Sequence, residues 1–335
     1  MQAAIYGLCG PELTGDERSL FLEADPAGYI LFKRNCVDRE QLLRLTDELR
    51  GLHSRADLPI LIDQEGGRVA RMQPPEWPSF PRGEAFDRLY RMAPSSAIEA
   101  ARMNARAIAL MLKSAGINVN CLPMLDVRQP GASDIVGDRA YGGEPMQVAA
   151  LGRAVLEGMA SAGVIGVIKH IPGHGRALVD SHKELPVVTA SAEELEVDLE
   201  PFERLREAPM GMVAHILFTA WDRERPSSQS PLIIDEIIRH RIGFHGFLMT
   251  DDIGMEALSG SPGERSAAAL AAGCDCALHC SGKFDEMVDV ARHVGELTPD
   301  AEARLARAMA GAMVDGEGLE FAEAAAKRDE LLALA

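Results

Sequence analysis

The chain of 335 residues carries 51 acidic and 34 basic side chains, a formal net charge of −17, with 47% hydrophobic and 25% charged residues. This is the makeup of an ordinary soluble globular protein with material for a large core. So acidic a balance disfavours a broad nucleic-acid or anionic-membrane interface, though not an anionic substrate held by a few local arginines.

No run approaches about 18 uncharged apolar residues, so no membrane span is expected. The first residues lack the basic and then apolar makeup of a signal peptide. Cysteines stand at 9, 36, 121, 274, 276 and 280, a density that suits a reducing compartment better than a disulfide framework. The cytoplasm is therefore the expected location and a monomer the expected state. Cys274, Cys276 and Cys280 cluster, but their spacing matches no common zinc pattern. They are expected as buried thiols, with no metal site and no cofactor.

Residues 3–8 read as a first strand and 11–23 as a turn and short helix. Residues 28–32 form a second strand with 33–36 as its loop. Residues 38–53 form a helix with Leu42, Leu43, Leu45 and Leu49 near one face and Asp38 as its N-cap. A third strand at 59–63 exits into Gln64, Glu65, Gly66, Gly67, Arg68 and then Arg71. The proline- and aromatic-rich segment 73–84 reads as an ordered loop, and 93–115 as a long helix ending near Gly116. After a fourth strand at 117–120, residues 121–145 show little periodicity; loops this long are functional or disordered. A helix at 146–162, ended by Gly163, leads to a fifth strand at 165–168. Residues 191–207 form a charged helix with Ser191 as cap and Glu194 three residues on. A sixth strand (211–214), a loop (216–231), a helix (231–240) and a seventh strand (246–250) follow. An alanine-rich helix at 263–273 precedes the eighth strand, 275–279. Helices at 283–295, 299–310 and 320–335 complete the chain.

Strands buried on both faces read as continuous apolar runs. Eight of them alternate with helices and no linker interrupts, which predicts a single α/β domain over 1–335. The expected fold is a (β/α)8 TIM barrel with extra C-terminal helices packed outside the ring. A doubly wound sheet would show a glycine-rich phosphate turn after an early strand; Gly7-Leu8-Cys9-Gly10 is a poor match.

Chemistry is concentrated at 165–182, where an apolar strand runs into Lys169 and His170, a Pro-Gly-His-Gly turn, then Asp180 and His182. Lys33, Asp63, Asn120, Lys169, His170, His215, Asp251 and His279 all fall at or just past predicted strand C-termini, which in a barrel converge on one mouth. Asn120, His279 and His215 are open to a purely structural use. Asp251 and Asp252 are adjacent on an extended segment and face opposite ways; Asp251 is the inward choice. Asp180 and His182 share a face, so the carboxylate can fix the imidazole's tautomer and raise its basicity. No nucleophile-elbow serine and no strong metal motif appears. A carboxylate, a buffered histidine and the hydroxyl-binding groups Asp63, Arg71, Arg139, Lys169 and His170 suit a polyol substrate attacked at an acetal carbon. An aldolase or isomerase using Lys169 as a Schiff base is the enzyme alternative. A noncatalytic sugar-binding protein would need the clamps without the Asp251–His182 pair.

At these residues the chain resembles glycoside hydrolase family 3, in its single-domain branch of β-N-acetylhexosaminidases. The matching motifs are Ile-Asp-Gln-Glu-Gly-Gly-Arg-Val at 62–69, Asp-Arg-Ala-Tyr-Gly at 138–142, Lys-His-Ile-Pro-Gly-His-Gly at 169–175, Asp-Ser-His at 180–182 and Thr-Asp-Asp-Ile-Gly-Met at 250–255. The resemblance implies Asp251 as nucleophile, His182 as acid/base and Asp180 as its orienting partner. It implies Asp63, Arg71, Arg139, Lys169 and His170 as the groups holding an N-acetylglucosamine (GlcNAc) ring. The implied substrate is a small saccharide or muropeptide from peptidoglycan recycling, cleaved with retention. A glycine-containing loop over 172–182 is expected to close on bound sugar.

Overall fold

All residues of the eight barrel strands are buried except two, Asp251 and Asp252. The computed structural model describes the whole chain apart from residues 182, 314–317 and 319. The strands are β1 (Gln2–Gly7), β2 (Pro26–Leu31), β3 (Ile60–Ile62), β4 (Val119–Asn120), β5 (Ile165–Ile171), β6 (Met210–Val213), β7 (Phe247–Asp252) and β8 (Cys276–His279). Each pairs in parallel with its neighbours in sequence, and β8 closes on β1 through Ala4–Ala277, Ile5–Leu278 and Tyr6–His279. This is the (β/α)8 barrel that the alternating pattern predicts.

The crossovers are made by helices α1 (Gly15–Ala24), α2 (Arg39–His53), α3 (Gly83–Met92) with α4 (Pro94–Ser114), α5 (Pro145–Ala160), α6 (Ala192–Arg204), a wide-wound turn at Ile233–Arg241, and α7 (Pro262–Ala272). After β8 come α8 (Phe284–His293), α9 (Pro299–Ala310) and α10 (Phe321–Leu332). Polar caps start several of them. Asp38 accepts from the Gln41 N–H at 2.8 Å, and Thr14, Ser191 and Ser261 each form a reciprocal capping box with a glutamate three residues on. The last helix packs outside the ring against α3 and α4. There Phe321 meets Phe80 edge-on at 6.4 Å, and the Arg328 guanidinium lies over the same ring at 5.6 Å. No helix among the described residues is long and apolar enough to cross a membrane.

Two departures from the sequence reading have local causes. The segment 73–84 is not wholly a loop, because α3 begins at Gly83; Pro94, which cannot continue a preceding helix, opens α4 as a separate helix. The helix after β6 winds with i to i+5 bonding, Ile242 N–H to Ile237 O at 2.8 Å, and buries Ile233, Ile234 and Ile238.

Small sheets decorate the mouth. Gln64–Gly66 and Val69–Ala70 form an antiparallel hairpin, and Val187–Val188 pairs in parallel with Leu217–Phe218. At the opposite end, Gly116 sits at φ +74° beneath Thr46, where an added Cβ would lie 2.2 Å from Thr46 Oγ1. Gly116→Ala combines a left-handed backbone with a clash and is expected to lower stability by about 2 kcal/mol. Urea titration of both proteins checks this, and an unchanged midpoint would contradict it.

Candidate active site

The strand C-termini bring together a pocket of about 250 Å³, walled by Asp63, Glu65, Arg71, Arg139, Lys169, His170, His174, Ser181, Asp251 and apolar side chains including Phe32, Val136 and Met255. Asp63, Gln64 and Glu65 leave β3 extended, so Asp63 and Glu65 share a face and Gln64 takes the other. Gln64 is spent on scaffolding. Its Oε1 accepts from the Arg71 and Met72 N–H groups at 2.9 and 3.0 Å, and Asn120 clamps its backbone on both sides at 3.0 Å. Asn120 therefore serves the loop backbone. The hairpin turns at Gly66 (φ +101°), where a Cβ would lie 2.2 Å from Pro81 O. That close approach requires glycine.

A buried ionic lattice results. Lys169, 2% exposed on β5, places Nζ 2.9 Å from Asp63 Oδ1 and 2.6 Å from Glu65 Oε1. Arg139 grips Glu65 with both arms of its guanidinium at 2.8 and 2.9 Å, and Arg71 reaches Asp63 Oδ2 at 3.0 Å. Burial alone would push both carboxyls up. The facing cations outweigh it, holding Asp63 well below the usual carboxylate range and Glu65 at about 2. Burial would likewise lower Lys169, but Asp63 and Glu65 hold it above the ordinary lysine value. A Schiff-base lysine needs a depressed pKa to supply free amine. This arrangement makes Lys169 a fixed cation and removes the aldolase alternative.

Asp126, fully buried in the segment after β4, organises the start of the next loop. Its Oδ2 lies 2.7 Å from His170 Nδ1, and its Oδ1 accepts from the backbone N–H groups of His174 at 2.6 Å and His170 at 3.3 Å. Burial would raise this carboxyl, but His170, His174 and these hydrogen bonds bring it to about 2. Gly175 then runs against Val127, where a Cβ would lie 1.9 Å from Val127 O. On β7, Asp251 and Asp252 both border the pocket but are tied down differently. Asp251 Oδ1 accepts from the Asp252 N–H at 2.8 Å, while Asp252 Oδ1 accepts from the backbone of Gly254 (2.9 Å) and Cys280 (3.0 Å).

Not every residue at a strand end reaches the pocket. Lys33 lies in a short exposed 3-10 turn, and Phe32 beside it lines the wall instead, with Arg34 and Arg71 stacked on its ring at 4.8 and 5.1 Å. His279 is turned to Glu286 and Ser281 at 3.2 and 3.0 Å. His215 is fully buried between Ser228 Oγ (2.7 Å) and the Asp252 carbonyl (3.1 Å), where burial holds it below its usual value. Asp180 is half-buried beside the pocket-lining Ser181, and its carbonyl accepts from the N–H groups of Lys183 and Glu184. His182 lies outside the described residues. Glu65, Asp126 and His174 enter the site although sequence reasoning did not single them out. Glu65 carried a signal, the i, i+2 spacing from Asp63.

The profile described as "Glycosyl hydrolase family 3 N terminal domain" matches residues 7–314. A β-hexosaminidase of Aromatoleum aromaticum is 37% identical over 304 residues, 89% of this chain and 84% of the relative. One of Methylococcus capsulatus is 38% identical over 282 residues, 83% and 82% of the two chains. Among solved structures, NagZ from Neisseria gonorrhoeae in complex with N-trifluoroacetyl-D-glucosamine superposes with a TM-score of 0.86 at 29% identity, covering 100% of this chain and 98% of that one.

Asp126→Asn is expected to lower the unfolding free energy by about 2–4 kcal/mol near pH 7, because it breaks a buried, hydrogen-bonded charge. A carboxyl held at about 2 contributes stability above its unfolded value and loses it as pH falls toward 2. The gap between variant and wild type should therefore narrow below about pH 4. Urea titrations at pH 7 and pH 3 measure it; a gap that does not change with pH would contradict the assignment.

Proposed function

The chain belongs to glycosyl hydrolase family 3, and on that premise we propose that it is a retaining exo-β-N-acetylhexosaminidase with Asp251 as nucleophile and His182 as acid/base. The observation that carries the reading is the placement of Asp251. It stands in the same small pocket as a ring of fixed hydrogen-bonding groups, while its neighbour Asp252, which also borders that pocket, has its Oδ1 committed to the backbone of Gly254 and Cys280. A β-N-acetylhexosaminidase activity agrees with the relatives and with a pocket sized for one sugar ring.

In this mechanism Asp63, Arg71, Lys169, Arg139 and His170 hold the hydroxyls and acetamido group of GlcNAc. The first four belong to a lattice that is already paired and charged, and His170 is held by Asp126 at 2.7 Å, so they bind without reorganising. The Asp251 carboxylate attacks the anomeric carbon as the glycosidic bond breaks, and His182 donates its proton to the departing oxygen. His182 then takes a proton from water, which attacks the glycosyl ester, releases Asp251 and leaves the sugar in its original β configuration. Two inversions at one carbon give net retention. Histidine suits this dual role because its reference pKa, about 6.5, lies near neutrality without extensive tuning. Asp180 orients it in this reading.

The substrate we propose is GlcNAc-1,6-anhydro-N-acetylmuramic acid, with or without its stem peptide, cleaved in the cytoplasm during peptidoglycan recycling. That places the enzyme in cell-wall biogenesis and so in cell shape and division. Asp251→Ala should reduce turnover of 4-nitrophenyl β-GlcNAc by about 10³-fold or more. An unchanged rate would remove the nucleophile assignment. A panel of 4-nitrophenyl β-glycosides, with NMR of the first product with and without phosphate, tests the rest. The expected result is β-GlcNAc from the GlcNAc glycoside, with no preference for glucose and no sugar phosphate. A first-formed α-anomer would remove retention.

A further inference from the structure

Ser181 directly precedes the acid/base residue of the proposed mechanism, and its hydroxyl is not solvent-facing. It is buried in the pocket wall, 3.2 Å from His174 Nε2. His174 itself is fixed from behind. Its N–H is held by Asp126 at 2.6 Å, its ring stands edge-on to His170 at 5.6 Å, and it is only 3% exposed. The contact closes the chain from 174 to 181 into a loop whose base is bolted to the barrel.

Among the described residues, the imidazole's other nitrogen, Nδ1, is buried with no hydrogen-bond partner. An orphaned buried N–H is rarer than an under-used acceptor, which favours the tautomer with the proton on Nε2. In it, Nε2–H donates to Ser181 Oγ. Burial, with His170 beside it, pushes the imidazole down to about 4 against the pull of Asp126 and Asp251, so the ring is neutral near pH 7.

We infer that the His174–Ser181 hydrogen bond is a clasp that positions the acid/base histidine, with both members acting as positioning residues. Nothing in the reaction requires either to touch the reacting atoms. Their effect passes through the chain from Ser181 to the next residue, on which protonation of the leaving oxygen depends in the proposed mechanism. The inference rests on His182 being the acid/base.

Proton donation is needed most when the leaving group is a poor one. Ser181→Ala, His174→Asn and His182→Ala are compared on GlcNAc-β-1,4-GlcNAc, whose aglycone must be protonated, and on 2,4-dinitrophenyl β-GlcNAc, whose aglycone need not be. Ser181→Ala and His174→Asn are expected to lose roughly 10–100-fold in kcat/KM on the disaccharide, a part of the full acid/base contribution, and at most a few-fold on the dinitrophenyl glycoside. On the latter, the loss in kcat should be restored by azide, which attacks the glycosyl ester without needing a base, giving β-GlcNAc azide. Ser181→Thr, which keeps the hydroxyl, should recover most of the disaccharide activity. Equal losses on both substrates, or none on either, in Ser181→Ala would overturn the clasp. A His182→Ala variant without leaving-group selectivity would remove the acid/base reading and the clasp with it. A selective His182→Ala beside an unselective Ser181→Ala would remove the clasp alone.

Discussion

The site depends on one buried ammonium. Lys169 lies at the end of β5 almost wholly out of water, and such a charge is tolerable only because two carboxylates meet it within 2.9 Å. Each of those carboxylates is in turn held by an arginine, Asp63 by Arg71 and Glu65 by Arg139. The groups come from the exit of β3, the segment after β4 and the strand β5, so the lattice forms only when all three are in place. Its cost in desolvation yields a set of polar atoms that cannot relax toward or away from a ligand. Polar groups fixed in advance need no reorganisation as charge develops on a substrate.

The same logic explains why so few of the barrel's strand residues escape burial. Asp251 and Asp252 are the exceptions, and they divide the tasks at the end of β7. Asp252 binds the backbone of its own loop and of the β8 exit, while His215, kept neutral by burial, holds the Asp252 carbonyl from the other side. Asp251 is thus presented on a strand end gripped from two directions.

The barrel was readable because parallel strands leave an unbroken apolar signature and the punctuating glycines and caps fall where turns demand them. Asp38, Ser191, Gly116 and Gly163 all mark helix ends. Asp63, Lys169, His170 and Asp251 were readable because charged groups at apolar strand ends are costly without a task; Arg71 was read on the exit from the third strand and Arg139 in the motif at 138–142, and the structure brings all six into one pocket. Asp126 was not, since a carboxylate in an aperiodic loop has no pattern to betray that it will be swallowed by two histidines. Lys33 misled for the opposite reason. Position along a strand does not fix direction, and a short 3-10 turn swings it into solvent while Phe32 takes the wall. The start of α3 inside a proline-rich stretch was hidden because the prolines precede it without entering it.

The parallel pair Val187–Val188 with Leu217–Phe218 has a consequence for how enzymes of this plan diverge. The histidine-bearing segment is moored at its near end by Asp126 and Gly175 and at its far end by that pair, which ties it to the neighbouring crossover. Residues 183–185, between the clasp and the far mooring, can be added or removed without disturbing the lattice beneath. On the proposed mechanism, preference for the departing group is therefore free to drift from one descendant to the next, while the ring that is recognised stays the same.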